Sequence, residues 1–117
     1  MAAAGLLCAC AQKSDLPRQI AGADPTRGLA QIERVGCAAC HVVPGVRWPR
    51  GTAGGSLAGF GKSPLIAGRL PNQPEMLIAW LRDPPALVPG TAMPPSGLTD
   101  RQARDVAAYL YTLDDPA

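Results

Sequence analysis

Five consecutive residues, Cys37-Ala38-Ala39-Cys40-His41, constrain this chain more than anything else in it. Two thiols separated by two residues and followed at once by an imidazole have the spacing that lets both sulfurs add across the vinyl groups of one porphyrin. The histidine is then carried onto the iron from one face. One haem c, covalent through Cys37 and Cys40 and with His41 on its iron, is the expected cofactor. A zinc half-site and a thioredoxin-like dithiol share the C-x-x-C pattern. Zinc needs four ligands, and no second Cys/His pair follows His41, the single histidine of the sequence.

A haem also answers a problem of composition. The chain has 117 residues, enough for one domain, yet its aromatic residues are only Trp48, Phe60, Trp80, Tyr109 and Tyr111, against 13 Gly and 13 Pro. That is little bulky side chain for a core of this size, and a buried macrocycle supplies the missing apolar mass. The net charge of +2 comes without a basic stripe, which argues against a nucleic-acid partner.

Residues 1–11, MAAAGLLCACA, are small and apolar, and polarity begins at Gln12. They read as the tail of an export signal, too short to span a bilayer. Leu7-Cys8-Ala9-Cys10 is similar to a bacterial lipobox, with Cys10 as the lipidated residue, while Ala9-Cys10-Ala11 also suits ordinary cleavage. A Cys8–Cys10 disulfide is a third option. No basic residue precedes Lys13 and the apolar run is short, so a leader beginning further upstream is expected. Residues 12–23 lack helical or strand period and suit a flexible tether, and the folded domain is expected over 24–115.

Within that domain Asp24 and Pro25 open a first helix carrying Leu29, Ile32 and Val35, which Gly36 stops just before the pentapeptide. Val42 to Pro71 holds seven Gly and four Pro without sustained period, as expected of a segment wrapped on a flat cofactor. Ser63-Pro64 is expected to cap one helical turn through Leu65, Ile66 and Leu70. Asn72-Gln73-Pro74-Glu75 reads as a capping box opening a helix with Leu77, Ile78, Trp80 and Leu81 on one side, ended by Pro84 and Pro85. Val88 to Pro95 must be extended, because its prolines forbid helix. Thr99 and Gln102 cap a last helix with an Ala103, Val106, Ala107, Leu110, Leu113 stripe, terminated by Asp114-Asp115-Pro116.

The open face of the iron decides function. Met93, pinned between Ala92 and Pro94 in the extended segment, is the favoured ligand over Met76, Lys62, water or an open position. A thioether stabilises ferrous iron, raises the potential and blocks small ligands, which describes a carrier.

With both segments in hand, the chain resembles a class I bacterial cytochrome c from Asp24 to Leu113. Gly28 with Ile32 is similar to the G-x-x-x-aromatic pattern of the family's first helix, and Ala108-Tyr109-Leu110 to its partner in the last. Gly54-Gly55-Ser56-Leu57 stands where the family has G-P-x-L. Leu81, Pro84 and Pro89-Gly90-Thr91-Ala92-Met93-Pro94 match L-x-x-P followed by P-G-T-x-M-P.

The resemblance implies an all-α fold of three to five helices around the haem, with His41 and Met93 as axial ligands of its iron. It puts Trp80 near the methionine, Thr91 on a propionate, and the Gly55 carbonyl on the proximal imidazole. Ile32 in place of an aromatic is expected to weaken the helix crossing. Gly55 in place of proline is expected to hold His41 less firmly. Arg47, Trp48, Arg50, Arg69 and Asn72 are candidates for the propionates or the cofactor's rim.

The function so implied is one-electron transfer between periplasm-facing respiratory complexes, such as a quinol-oxidising complex and a terminal oxidase, from a lipid-anchored or soluble periplasmic position. Two rivals stand beside it. One is a ligand-binding or peroxidase-like haem protein with a displaceable distal ligand; the other is a subunit through which electrons enter a larger oxidoreductase complex. The lack of a second histidine or an obvious distal carboxylate weighs against the first rival.

Overall fold

The computed structural model describes Gly5 and residues 18–116. The lipobox with Cys8 and Cys10, and the first half of the expected tether, lie outside the described residues. Among those described, four α-helices run in order: α1 Pro25–Val35, α2 Pro74–Arg82, α3 Pro84–Leu87 and α4 Asp100–Leu110. Two 3-10 turns, Cys37–Ala39 and Phe60–Lys62, and four two-residue strands complete the fold. β1 (His41–Val42) pairs in parallel with β2 (Gly55–Ser56), and β3 (Leu65–Ile66) antiparallel with β4 (Leu70–Pro71). The fold is thus mainly helical but not strictly all-α. Among the described residues no helix is long and apolar enough to cross a membrane.

α1 forms for the reasons its sequence gives. The Asp24 carboxylate accepts from the backbone N–H groups of Thr26 (2.7 Å) and Arg27 (3.2 Å), Pro25 takes the first turn, and Gly36 closes the helix at φ 80°, ψ 33°. Its most extensive partner is α4. The crossing is backbone on backbone: a Cβ at Gly28 would collide with the carbonyl of Asp105. The glycine makes room for the Asp105 carbonyl, while Tyr109 leans over Gly45 and donates its hydroxyl hydrogen to the Pro44 carbonyl. Ile32 is 1% exposed and fills the core beside this crossing, so the missing aromatic has not cost the helices their contact.

Asp105, which the sequence did not single out, locks the crossing. Its carboxylate is buried, yet it accepts from the Asp24 backbone N–H at 2.8 Å and from Arg27 Nε and Nη2 at 2.9 and 3.0 Å. The guanidinium fork holds the Asp105 carboxyl below its usual range, against the opposing effect of burial.

Three local expectations are corrected. Ser63-Pro64 opens no helical turn: Ala67 (φ 52°) and Gly68 (φ 68°) both lie in the left-handed region, and Arg69 N–H closes onto Ile66 O at 3.0 Å, which makes a hairpin turn between β3 and β4. Asn72 is not part of a capping box. It is buried, with its amide donating to Ser63 O (2.9 Å) and its carbonyl accepting from the Tyr111 hydroxyl (3.0 Å), while Gln73 stands at the cap without a side-chain bond. Pro84 and Pro85 do end α2, but they also open α3, because proline is tolerated where the first-turn N–H groups have no helical partner.

α4 has the full Thr99–Gln102 capping box and buries Ala103, Val106, Ala107 and Leu110, with Leu113 beyond its end. It stops at Leu110, before the Asp114-Asp115-Pro116 terminator. Residues 18–23, placed in the tether by their sequence, lie against the fold. Arg18 donates to Gly61 O at 2.8 Å and sits 5.4 Å from the centre of the Tyr111 ring, and Ile20 packs on the core.

The Asp105 lock gives a prediction with a sign. A carboxylate whose folded pKa is depressed contributes stability that is present above its unfolded pKa and lost as pH falls through the folded one. Asp105→Asn should cost about 2 kcal/mol at pH 7, and the variant's stability should change less than wild type's as pH drops below about 4. Urea unfolding of both proteins across that range checks it.

Candidate haem centre

The pentapeptide is presented by the end of α1. Gly36 turns the chain, and the 3-10 turn then stacks Ala39 N–H on Gly36 O (3.0 Å) and Cys40 N–H on Cys37 O (3.2 Å), so both sulfurs issue from one tight turn. Both cysteines are free; Cys37 is half-buried and Cys40 exposed. Burial pushes the Cys37 thiol up.

His41 begins β1 directly opposite Gly55 in β2, and its Nδ1 lies 2.9 Å from the Gly55 carbonyl oxygen. A carbonyl can only accept, so Nδ1 carries the proton and Nε2 keeps a free lone pair. The ladder fixes that orientation through Gly54 N–H to Cys40 O at 2.7 Å and Leu57 N–H to Val42 O at 2.9 Å. Gly55 sits at φ 75°, which a proline, held near −65°, cannot adopt. The substitution is therefore more than a deletion of the ring: the carbonyl reaches the imidazole along a backbone path closed to proline.

Gly54, which the sequence had not flagged for this role, lies against the imidazole. A Cβ there would fall 2.7 Å from both ring nitrogens. The signal was present in the doubled glycine, but only the ring's position says why both are needed. Two free thiols on one turn and an imidazole held with Nε2 free are the donor set that a covalent haem requires. Among the described residues no cluster of three or more His, Cys, Asp or Glu side chains gathers to hold a metal.

The second group of expected residues gathers at the hydrophobic core and the loop beyond α3. Trp80 is buried on α2, and Met93 is half-buried against the same hydrophobic cluster. Val88–Thr91 forms a turn with Thr91 N–H on Val88 O at 3.1 Å and Gly90 at φ 85°, after which the chain runs without helix or strand to Thr99, turning again at Gly97 (φ 74°). Thr91 Oγ1 faces the Met93 N–H at 3.4 Å. Of the rim candidates, Arg47, Trp48, Arg50 and Arg69 are exposed, whereas Asn72 is committed to Ser63 and Tyr111 and is not free for a propionate.

The family model for cytochrome c matches residues 26–114. The chain belongs to the cytochrome c family. It is similar to a curated relative named cytochrome c oxidase subunit 2, from Alkalihalophilus pseudofirmus, 37% identical over 97 residues. That match covers 77% of this chain and 27% of the relative, so the chain spans about a quarter of that protein. As a member of the family, this cytochrome c is an electron-transfer haem protein with its haem c covalent through Cys37 and Cys40.

The two glycines should respond differently to a methyl group. Gly54→Ala drives a Cβ into the imidazole and should dislodge it from Gly55, shifting the midpoint potential and lowering thermal stability. Gly55→Ala meets no atom within 4 Å, so it should carry only the left-handed backbone penalty of about 1 kcal/mol. Its potential should stay close to wild type. Redox titration and thermal melts of both holoproteins check the contrast.

Proposed function

We propose that this cytochrome c is a one-electron carrier with His41 and Met93 as axial ligands, working on the periplasmic side of a bacterial membrane. The observation that carries the reading is the His41–Gly55 hydrogen bond, which leaves Nε2 as the one imidazole lone pair of the sequence available to a metal. The haem iron supplies reversible one-electron chemistry when bound. His41 provides a fixed donor on one side. Met93 offers a thioether from a segment stiffened by Pro89, Pro94 and Pro95. Trp80 backs that segment from the core, and Thr91 is the polar group assigned to a propionate. With His41 used as a ligand, no histidine remains to act as a distal acid or base, which disfavours the peroxidase-like reading.

Lipidation at Cys10 would hold the domain at the membrane, where a quinol-oxidising complex and a terminal oxidase are the partners that suit such a carrier. Cys10→Ser should then release the protein into the soluble fraction.

A second reading has its own support in the relative named cytochrome c oxidase subunit 2. On that reading the same domain passes electrons into an oxidase of which it is a part. Extraction from membranes at moderate salt separates the two, since a carrier leaves alone and a subunit leaves with other polypeptides.

The axial assignment is tested by Met93→Ala. The potential should fall by on the order of 100 mV, within the ~0.8 V span that axial ligands command, and the reduced variant should bind carbon monoxide. Wild type should show a low-spin spectrum with a methionine-to-iron charge-transfer band and no response to the gas. An unchanged spectrum and potential in the variant would remove Met93 from the iron.

A further inference from the structure

The most exposed large apolar side chain among the described residues is Trp48, at 83%. It belongs to a loop pressed onto the haem-attachment turn. Gly51 N–H bonds to Ala38 O at 2.9 Å, and a Cβ at Gly51 would strike the backbone of Ala39 and Cys40. Trp48 lines a groove of about 490 Å³ whose walls include Ile32, Ala38 and Val46, with Glu33 as the one acid that reaches it. An indole standing free beside an apolar groove costs solubility unless another surface covers it.

The charge around it is one-sided. From Arg34 to Pro74 the sequence has five cations, Arg34, Arg47, Arg50, Lys62 and Arg69, and no Asp or Glu. Arg47 and Arg50 flank the indole in sequence, are exposed, and enter no ion pair among the described residues. Three other arginines are neutralised, Arg27 by Asp24 and Asp105, Arg82 by Asp100, and Arg104 by Glu75 and Asp100, while Arg18 and Arg101 stand singly and not beside an exposed indole.

We propose that Trp48, flanked by Arg47 and Arg50, is the anchor by which this cytochrome c docks an acidic electron-transfer protein that presents an apolar surface to the attachment turn. The proposal rests on the carrier reading above. Tryptophan and arginine are the residues that concentrate binding energy in small interfaces, and unpaired cations steer an acidic partner towards them. An anchor of one indole and two arginines suits a small interface, as a partner that must leave after each electron requires.

The test uses reduced holoprotein and two oxidants in stopped flow. One is cupric plastocyanin, an acidic copper protein; the other is tris(phenanthroline)cobalt(III), a small cation that needs no docking. In each reaction one electron leaves ferrous haem, which becomes ferric, and reduces Cu(II) to Cu(I) or Co(III) to Co(II). With plastocyanin the wild-type rate should fall as salt rises, and Arg47→Gln/Arg50→Gln should lower the low-salt rate about tenfold and flatten that dependence. Trp48→Ala should lower the plastocyanin rate several-fold at every salt concentration, with spectrum, potential and cobalt rate unchanged.

Plastocyanin rates that ignore all three substitutions would overturn the proposal. So would a Trp48→Ala variant with an altered spectrum or potential, since the indole would then be packing on the haem. Failure of wild type to reduce the cobalt complex would instead remove the carrier reading, and the docking proposal with it.

Discussion

Everything at the site depends on one carbonyl oxygen. The Gly55 oxygen, 2.9 Å from His41 Nδ1, decides which ring nitrogen carries the proton and so which one faces a metal. That oxygen is positioned by a two-residue parallel ladder, which is in turn tied to the attachment turn by Gly54 on Cys40 and Gly51 on Ala38. The two short strands are too small to be stable elements in their own right. They act as a splint, holding a loop of glycines in register with the turn that carries the thiols.

The splint itself hangs from the crossing of α1 and α4. α1 delivers the pentapeptide, and its position is set where Gly28 lets the helix backbone meet Asp105. The Asp105 carboxylate then reaches back to the N-terminus of α1 and to Arg27. Buried ion pairs often return little net stability, because desolvation offsets the attraction. This one is half-open on the arginine side, with Arg27 45% exposed, so the desolvation cost falls mainly on the carboxylate, which three donor atoms compensate. It fixes the angle of α1 as much as it adds to cohesion.

How legible the molecule was in its sequence follows from the range of the interactions. α1 and α4 were readable because their caps and stripes are local: Asp24, Pro25, Gly36, Thr99 and Gln102 act within a few residues of themselves. Asn72 misled because an Asn two residues before Pro74 has the letters of a cap, while its real partners, Ser63 and Tyr111, are distant in sequence. Asp105 was silent for the same reason, since an acid in mid-helix looks solvated until Arg27 is brought against it. At the site, Cys37, Cys40 and His41 stand out by their spacing alone, whereas the Gly55 carbonyl could be expected on the imidazole only through the family resemblance. The doubled glycine marks Gly54, but its role was not readable, because that role is the side chain it lacks in the space the imidazole fills.

The division of labour along the chain explains why a protein so short of aromatics folds at all. From Val42 to Pro71 only Val43 and Ile66 among the apolar residues are fully buried, whereas α2 and α4 bury most of the core. That middle third lacks the contacts that make a segment cohere from within, and its backbone is held by isolated hydrogen bonds to the turn, to Asn72 and to the C-terminal residues. A large apolar group attached at Cys37 and Cys40 supplies the missing contacts at the place where they are fewest. The residues freed from packing there are the ones the surface uses: a run of unpaired cations and an open indole sit where the chain had no core to build. Helical ion pairs and apolar stripes keep the other side shut, so cohesion and exchange with a partner occupy different parts of one small domain.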